Sequence, residues 1–258
     1  MSKKLERMNA ILEILSHKSG ELVKNLATEL NTSEMTIRRD LKELSDKNIV
    51  TLMQGVAIFN NRNSSSMLRK QYDLCLEQKI HADEKTRIGL KAVSLLEEND
   101  VIAIDTGTTT EQLAKNLPDN LNLTIVCYNM NVLMHIKDKT DRIILAGGHY
   151  HSNTQMFQSP EGVALISRTS VNKAFVSAAG VNSKFVASCI DQYETDTKKA
   201  IIESAIEKIL MVDSSKFDKI SPVTFADLQE FDTIITDDNL SKEWREHIND
   251  IGIRLYLV

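Results

Sequence analysis

The chain has 258 residues, 42% of them hydrophobic and 26% charged, and a net charge of −5. These totals suit a folded chain long enough for two domains and exclude a protein that coats nucleic acid by bulk positive charge. No apolar run approaches a membrane span, and the N-terminal MSKKLERMNAILEIL is periodic and acid-containing, unlike a signal peptide; a cytoplasmic protein without a membrane partner is expected.

Leu5, Met8, Ile11, Leu12 and Leu15 recur at helical spacing and predict a first helix, with a break at Gly20. A second short apolar-periodic run, Leu22–Leu30, is followed by Asn31–Thr32, which leaves room only for a tight turn. In the next stretch, SEMTIRRDLKEL, Ser33 can cap the first turn of a helix by accepting from an unpaired backbone N–H. Ile37, Leu41 and Leu44 then form one buried face, while Thr36, Arg38, Arg39 and Lys42 fall outside it and present a hydroxyl and three cations to solvent. Two short helices, a tight turn and an arginine pair near the start of the second outline a helix-turn-helix, whose second helix enters the major groove. Ser33, Thr36, Arg38, Arg39 and Lys42 are therefore candidate contacts to double-stranded DNA; the alternative is an ordinary helix pair with solvated cations. Residues 1–60 carry nine Lys+Arg and eight Asp+Glu, a net of +1 against −6 for the rest, so the positive charge is local, as in a reader of modest footprint.

After Leu44, KNIVTLMQGVAIF places β-branched and apolar residues on both sides of Gln54–Gly55, a hairpin signal. A helix trio followed by a hairpin predicts a winged helix-turn-helix over residues 1–59, although the wing carries no Arg or Lys between Val50 and Phe59. Asn60–Ser66, NNRNSSS, is polar and low in complexity and reads as a linker to a second domain over 67–258. Met67–Ile80 and Lys85–Leu96 predict helices that open it.

From Val101 strands alternate with helices. Strands are expected at Val101–Asp105, Leu123–Tyr128, Arg142–Ala146, Ala174–Ala178, Ile209–Asp213, Thr233–Thr236 and Arg254–Val258. Helices are expected at Thr109–Leu117, Val132–Ile136, Lys198–Ile209 and around Trp244, which is read as ordinary packing. Such alternation implies a mainly parallel sheet covered on both faces, with ligands beyond the carboxyl ends of the strands.

The joint DTGTTT, Asp105–Thr110, is the most chemically loaded segment. Gly107 allows close backbone approach, and successive N–H groups and hydroxyls through Thr108, Thr109 and Thr110 suit a phosphate; Asp105 could accept from sugar hydroxyls. A capped helix start with nothing bound is the alternative. The joint lacks the Gly-Lys-Ser/Thr ending of a nucleotide-hydrolysing loop. Other strand ends add Gly147, Gly148 and Gly180, and Glu194, Asp196 and Lys198 cluster downstream, with Lys216 a further cation after a strand. His149 and His151 flank Tyr150, but zinc would need further ligands and none stands at suggestive spacing. Cys75, Cys127 and Cys189, odd in number and set among apolar neighbours, predict reduced, mostly buried thiols.

TIRRDL at Thr36–Leu41, DTGTT from Asp105, Gly147-Gly148, Glu194…Lys198 and Val212-Asp-Ser-Ser-Lys-Phe217 together resemble the DeoR family of bacterial transcriptional repressors, over nearly the whole chain. The family's usual His-Gly-Gly-Ala wing reads Gln54-Gly55-Val56-Ala57 here, its Asp-Lys-Ala-Phe block reads Asn172–Phe175, and a usual glycine is Val186. The resemblance implies an α/β sensor related to sugar-phosphate isomerases but used for binding. It also implies release from operator DNA by a phosphorylated sugar, deoxyribose 5-phosphate foremost. Asp105, Gly107, Thr108, Thr109 and Lys198 would contact that effector, with Glu194 a weaker candidate. A homo-oligomer is expected, because helix-turn-helix dimers read paired half-sites. No catalytic residue, metal or cofactor is expected on this reading. The rival is a sugar-phosphate isomerase with an appended DNA-binding domain, in which Glu194 or Asp196 is the base and Lys198 its electrostatic partner.

Overall fold

The computed structural model describes residues 3–18, 20–46, 49–53, 55–59, 74–78, 80–182, 184 and 186–258. The chain divides into two compact units, residues 1–71 and 72–258. The expected linker, Asn60–Ser66, the wing-tip Gln54 and most of the helix expected over Met67–Ile80 lie outside the described residues.

In the smaller unit α1 (Lys3–Lys18), β1 (Gly20–Leu22), α2 (Val23–Glu29) and α3 (Glu34–Asp46) precede a hairpin of β2 (Val50–Met53) and β3 (Val56–Phe59). Asn31, between α2 and α3, takes a positive φ of 47°, a conformation asparagine tolerates better than most residues. Ile11 and Leu15 of α1, Leu26 of α2, and Ile37, Leu41 and Leu44 of α3 meet in one core with Ala57 of the hairpin. The hairpin is antiparallel with Met53 opposite Val56, and β1 joins its other edge to give the order β1-β3-β2. Gly20, expected only as a break, instead begins β1, whose residues pair with Ile58, Ala57 and Val56.

The larger unit opens with α4 (Leu74–Glu77) and α5 (Ala82–Val93), then β4 (Val101–Ile104), α6 (Thr108–Lys115), β5 (Thr124–Cys127), α7 (Met130–Ile136) and β6 (Ile143–Leu145). A hairpin of β7 (His149–His151) and β8 (Met156–Gln158) leads to α8 (Pro160–Ser167) and β9 (Val171–Val176). Then come β10 (Gly180–Val181), β11 (Val186–Cys189), α9 (Thr195–Ser204), β12 (Ala205–Met211), β13 (Val223–Asp227), β14 (Thr233–Thr236), α10 (Lys242–Asp250) and β15 (Arg254–Leu257).

Seven strands form one parallel sheet in the order β15-β14-β12-β9-β4-β5-β6. The two-residue period of a strand assigns its faces. Ile102, Ile104, Phe175, Ile209 and Met211 point to the layer of α5, α6 and α7; Ala103, Ala174, Val176, Leu210 and Val212 point to the layer that includes Ile201, Trp244 and Ile248 of α9 and α10. A separate small antiparallel sheet has the order β10-β11-β13.

The helix expected over Lys198–Ile209 ends at Ser204, and β12 takes over from Ala205. Read alone, AIEKILM suits a helix; its pairing with β9 from Ala205↔Val171 to Leu210↔Val176 decides otherwise, because strand preference depends on neighbours. Among the described residues no helix is long and apolar enough to cross a membrane.

From β4 the chain runs outward through β5 and β6, then returns to place β9 on the other side of β4. In an open parallel sheet that reversal leaves a crevice beyond the carboxyl ends of the two central strands, where ligands sit.

Candidate functional site

The segments leaving β4 and β9 form the walls of the crevice. Gly107 caps α6 with φ 149° and ψ 159°, and a Cβ there would lie 2.4 Å from Ser177 Oγ, so the close approach of the two strand ends requires glycine. Because Gly107 has no side chain, the first N–H groups of α6 receive no side-chain cap. They remain as donors at the positive end of a helix dipole. Thr110 Oγ1 turns inward, donating to Asp105 O at 2.8 Å and Gly107 O at 3.1 Å, while Thr106 Oγ1 donates to Thr154 O at 3.0 Å.

Thr106, Gly107, Thr108, Thr109, Ser177, Lys198 and Glu194 line a cleft, with Glu77, Cys189 and Lys216 among its other walls.

Asp105 stands behind this wall with none of its surface exposed. Its Oδ1 accepts from the Tyr128 hydroxyl; its Oδ2 accepts from Ser177 N at 2.8 Å, Ser177 Oγ at 3.2 Å and Lys198 Nζ at 2.5 Å. Lys198 Nζ also donates to Ser177 O at 3.0 Å. Burial works against the Lys198 charge, but Asp105 and then Glu194 outweigh it and hold the ammonium above its ordinary pKa. Burial pushes the Glu194 carboxyl up despite Lys198, and the Tyr128 phenol, buried against Asp105, lies well above its ordinary value. Glu194 Oε1 also accepts from Asp191 N at 3.0 Å, capping the turn before α9 and so fixing where Lys198 emerges. Burial pushes the Cys189 thiol up to about 11, so this cleft cysteine stays protonated at neutral pH.

Thus the expected residues divide. Gly107, Thr108, Thr109, Glu194 and Lys198 share the cleft, while Asp105, Thr110, Gly147, Gly148 and Gly180 are not among its lining residues. Gly148 and Gly180 are packed closely: a Cβ would strike the carbonyl of Gln158 at the first and of Lys219 at the second. Sequence reasoning misses Ser177, although the logic that selects the Asp105 strand end applies equally to the end of β9. Glu77 has no local sequence signal at all. Cys127 and Cys189 are free and buried, as expected; the side chain of Cys75 lies outside the described residues. Among the described residues no group of three His, Cys, Asp or Glu is placed to hold a metal.

On the smaller unit, Ser33 Oγ accepts from Thr36 N at 3.2 Å and meets Thr36 Oγ1 at 2.9 Å, capping α3. Arg38, Arg39 and Lys42 are exposed on that helix, and Arg38 lies 3.7 Å from Glu34, one turn earlier. Beneath them Asp40 is buried and held by Arg7 through Nε at 2.6 Å and Nη2 at 3.3 Å, which fixes α3 against α1.

A winged helix-turn-helix with outward cations, carried in one chain with a parallel α/β unit bearing a polar cleft, defines a transcription regulator with a sensor domain. Residues 7–63 match the DeoR-like helix-turn-helix domain, and residues 80–238 match the DeoR C-terminal sensor domain. The chain belongs to the DeoR family. It is 31% identical to the deoxyribose operon repressor of Escherichia coli K12 across 92% of this chain and 91% of that protein. It is 30% identical to the regulator IolR of Bacillus subtilis across 98% and 99%, and 31% identical to the lactose phosphotransferase system repressor of Staphylococcus epidermidis RP62A across 92% and 93%. Among solved structures, ribose 5-phosphate isomerase A of Methanocaldococcus jannaschii aligns with a TM-score of 0.40 and 19% identity, covering 54% of this chain and 56% of that one.

Proposed function

We propose that the chain represses a sugar or deoxyribonucleoside catabolic operon and is released from operator DNA when a phosphorylated sugar occupies the cleft, deoxyribose 5-phosphate being the first candidate. The observation that carries the reading is the cleft itself: uncapped N–H groups of α6, the Thr108 and Thr109 positions and a charged Lys198 converge at the switch point of the sheet. These are groups that recognise an oxyanion. Asp105 acts through Lys198 and Ser177 rather than by touching the sugar. On the smaller unit, the exposed Arg38, Arg39 and Lys42 face the operator, and Ser33 and Thr36 set the start of α3. Recognition of paired half-sites calls for a homo-oligomer.

A gel shift on the DNA upstream of the neighbouring genes, titrated with pentose and hexose phosphates, tests the whole reading. A retarded complex is expected, dissolved by one phosphorylated sugar and not by its unphosphorylated form, and Arg39→Ala should weaken the complex. A complex indifferent to every phosphate would end the sensing half of the proposal. Glu194 beside Lys198 also has the makings of a general base. Turnover of ribose or deoxyribose phosphates at enzymatic rates would replace repression by catalysis as the primary role.

A further inference from the structure

The two ammonium groups that line the cleft differ in how firmly they are held. The Lys198 side chain is 2% exposed and enclosed by Asp105 and Ser177. Lys216 keeps 16% exposure and pairs with Glu77 Oε2 at 3.2 Å, itself 27% exposed. An arriving anion can therefore reach Lys216 more easily than Lys198.

Glu77 ends α4, the first described segment of the larger unit, on the side of the chain that leads back to the helix-turn-helix. Leu74 N donates to Asn153 O at 3.2 Å, Lys85 Nζ to Glu77 O at 2.7 Å and Gln78 Nε2 to Glu111 Oε2 at 2.7 Å. Those three contacts seat the segment on its neighbours. The Glu77 carboxylate adds a fourth, to a cleft cation. Each ammonium of the cleft is then already matched, Lys198 by Asp105 and Lys216 by Glu77, with Glu194 a further acid in the wall. A phosphoryl group with two charges meets no uncompensated cation, and a carboxylate so placed repels it.

We propose that Glu77 is a built-in competitor anion: it and the phosphoryl group of the ligand exchange on Lys216, so that ligand binding releases the Glu77 carboxylate at the end of α4 from the cleft. The inference rests on the sugar-phosphate reading above and adds its route of transmission. Exchange at Lys216 alters the end of the sensor unit to which the preceding chain is joined, and a ligand that favours the released form shifts the population toward it.

The full-length protein is titrated by calorimetry with deoxyribose 5-phosphate, inorganic phosphate and unphosphorylated 2-deoxyribose. Wild type is compared with Glu77→Gln, which keeps the side chain's size but removes its charge. Affinity for both phosphates is expected to rise about tenfold in the variant, with binding of 2-deoxyribose unchanged. Operator release should need about tenfold less sugar phosphate, in step with the affinity. Glu77→Ala must give the same ordering, and adding Lys216→Gln must erase the gain. Phosphate affinity in both Glu77 variants equal to or below wild type, with melting curves intact, overturns the exchange and leaves the sugar-phosphate reading in place. No binding of any phosphate to wild type overturns both.

Discussion

Asp105 stands just past the end of β4 with both carboxylate oxygens engaged inside the protein. At a strand end before Gly107 it looks like an acceptor for sugar hydroxyls. In the fold its two oxygens are taken by Tyr128, Ser177 and Lys198, and nothing of it reaches solvent. It holds a buried ammonium in its charged form. A buried ion pair costs desolvation, and removing one member leaves the other uncompensated. Asp105→Asn is therefore expected to destabilise the larger unit by about 3–5 kcal/mol. Urea unfolding followed by fluorescence of Trp244, the chain's one tryptophan and part of that unit's core, measures this without interference from the smaller unit. The double variant Asp105→Asn/Lys198→Met should recover most of the loss, since it buries no charge. A loss of under about 0.5 kcal/mol, the level of a surface substitution, would mean that water solvates Lys198 after all.

At the level of elements, the start of α6 depends on backbone geometry. Gly107→Ala places a methyl 2.4 Å from Ser177 Oγ and 3.3 Å from Thr110 Oγ1 at a φ of 149°. That backbone region is nearly confined to glycine and costs about 1–3 kcal/mol for another residue, before the clash is counted. Thermal melts should fall accordingly, and phosphate binding should be lost because the uncapped N–H groups turn away; an intact isotherm would show that they are not the anion's donors. This joint is legible because glycine, hydroxyls and strand end lie in six consecutive residues, Asp105–Thr110. Its other half is not. Ser177 comes from the end of β9, and only the placement of β9 beside β4 brings it there. The same limit hides Asp40: the stripe of Ile37, Leu41 and Leu44 is plain in the sequence, but a carboxylate on that face becomes tolerable only with Arg7 supplied by α1. Periodicity reports which face of an element is buried, not which partner another element will bring.

For the whole molecule, the candidate DNA contacts and the cleft residues named above belong to separate compact units. A ligand can then weaken the operator complex only by binding more tightly to conformations that hold DNA poorly. Such coupling is reciprocal: whatever factor the ligand removes from operator affinity, the operator removes from ligand affinity. Couplings of this kind are typically about 5–150-fold, within reach of calorimetry. Titrating sugar phosphate into free protein and into protein saturated with operator duplex should give affinities that differ by the factor by which saturating sugar phosphate weakens operator binding. Arg39→Ala should lower operator affinity without changing ligand affinity in the absence of DNA, because Arg39 stands outside the unit that holds the cleft. Equal ligand affinities with and without operator would show that the cleft does not govern the reader, however well each unit binds on its own.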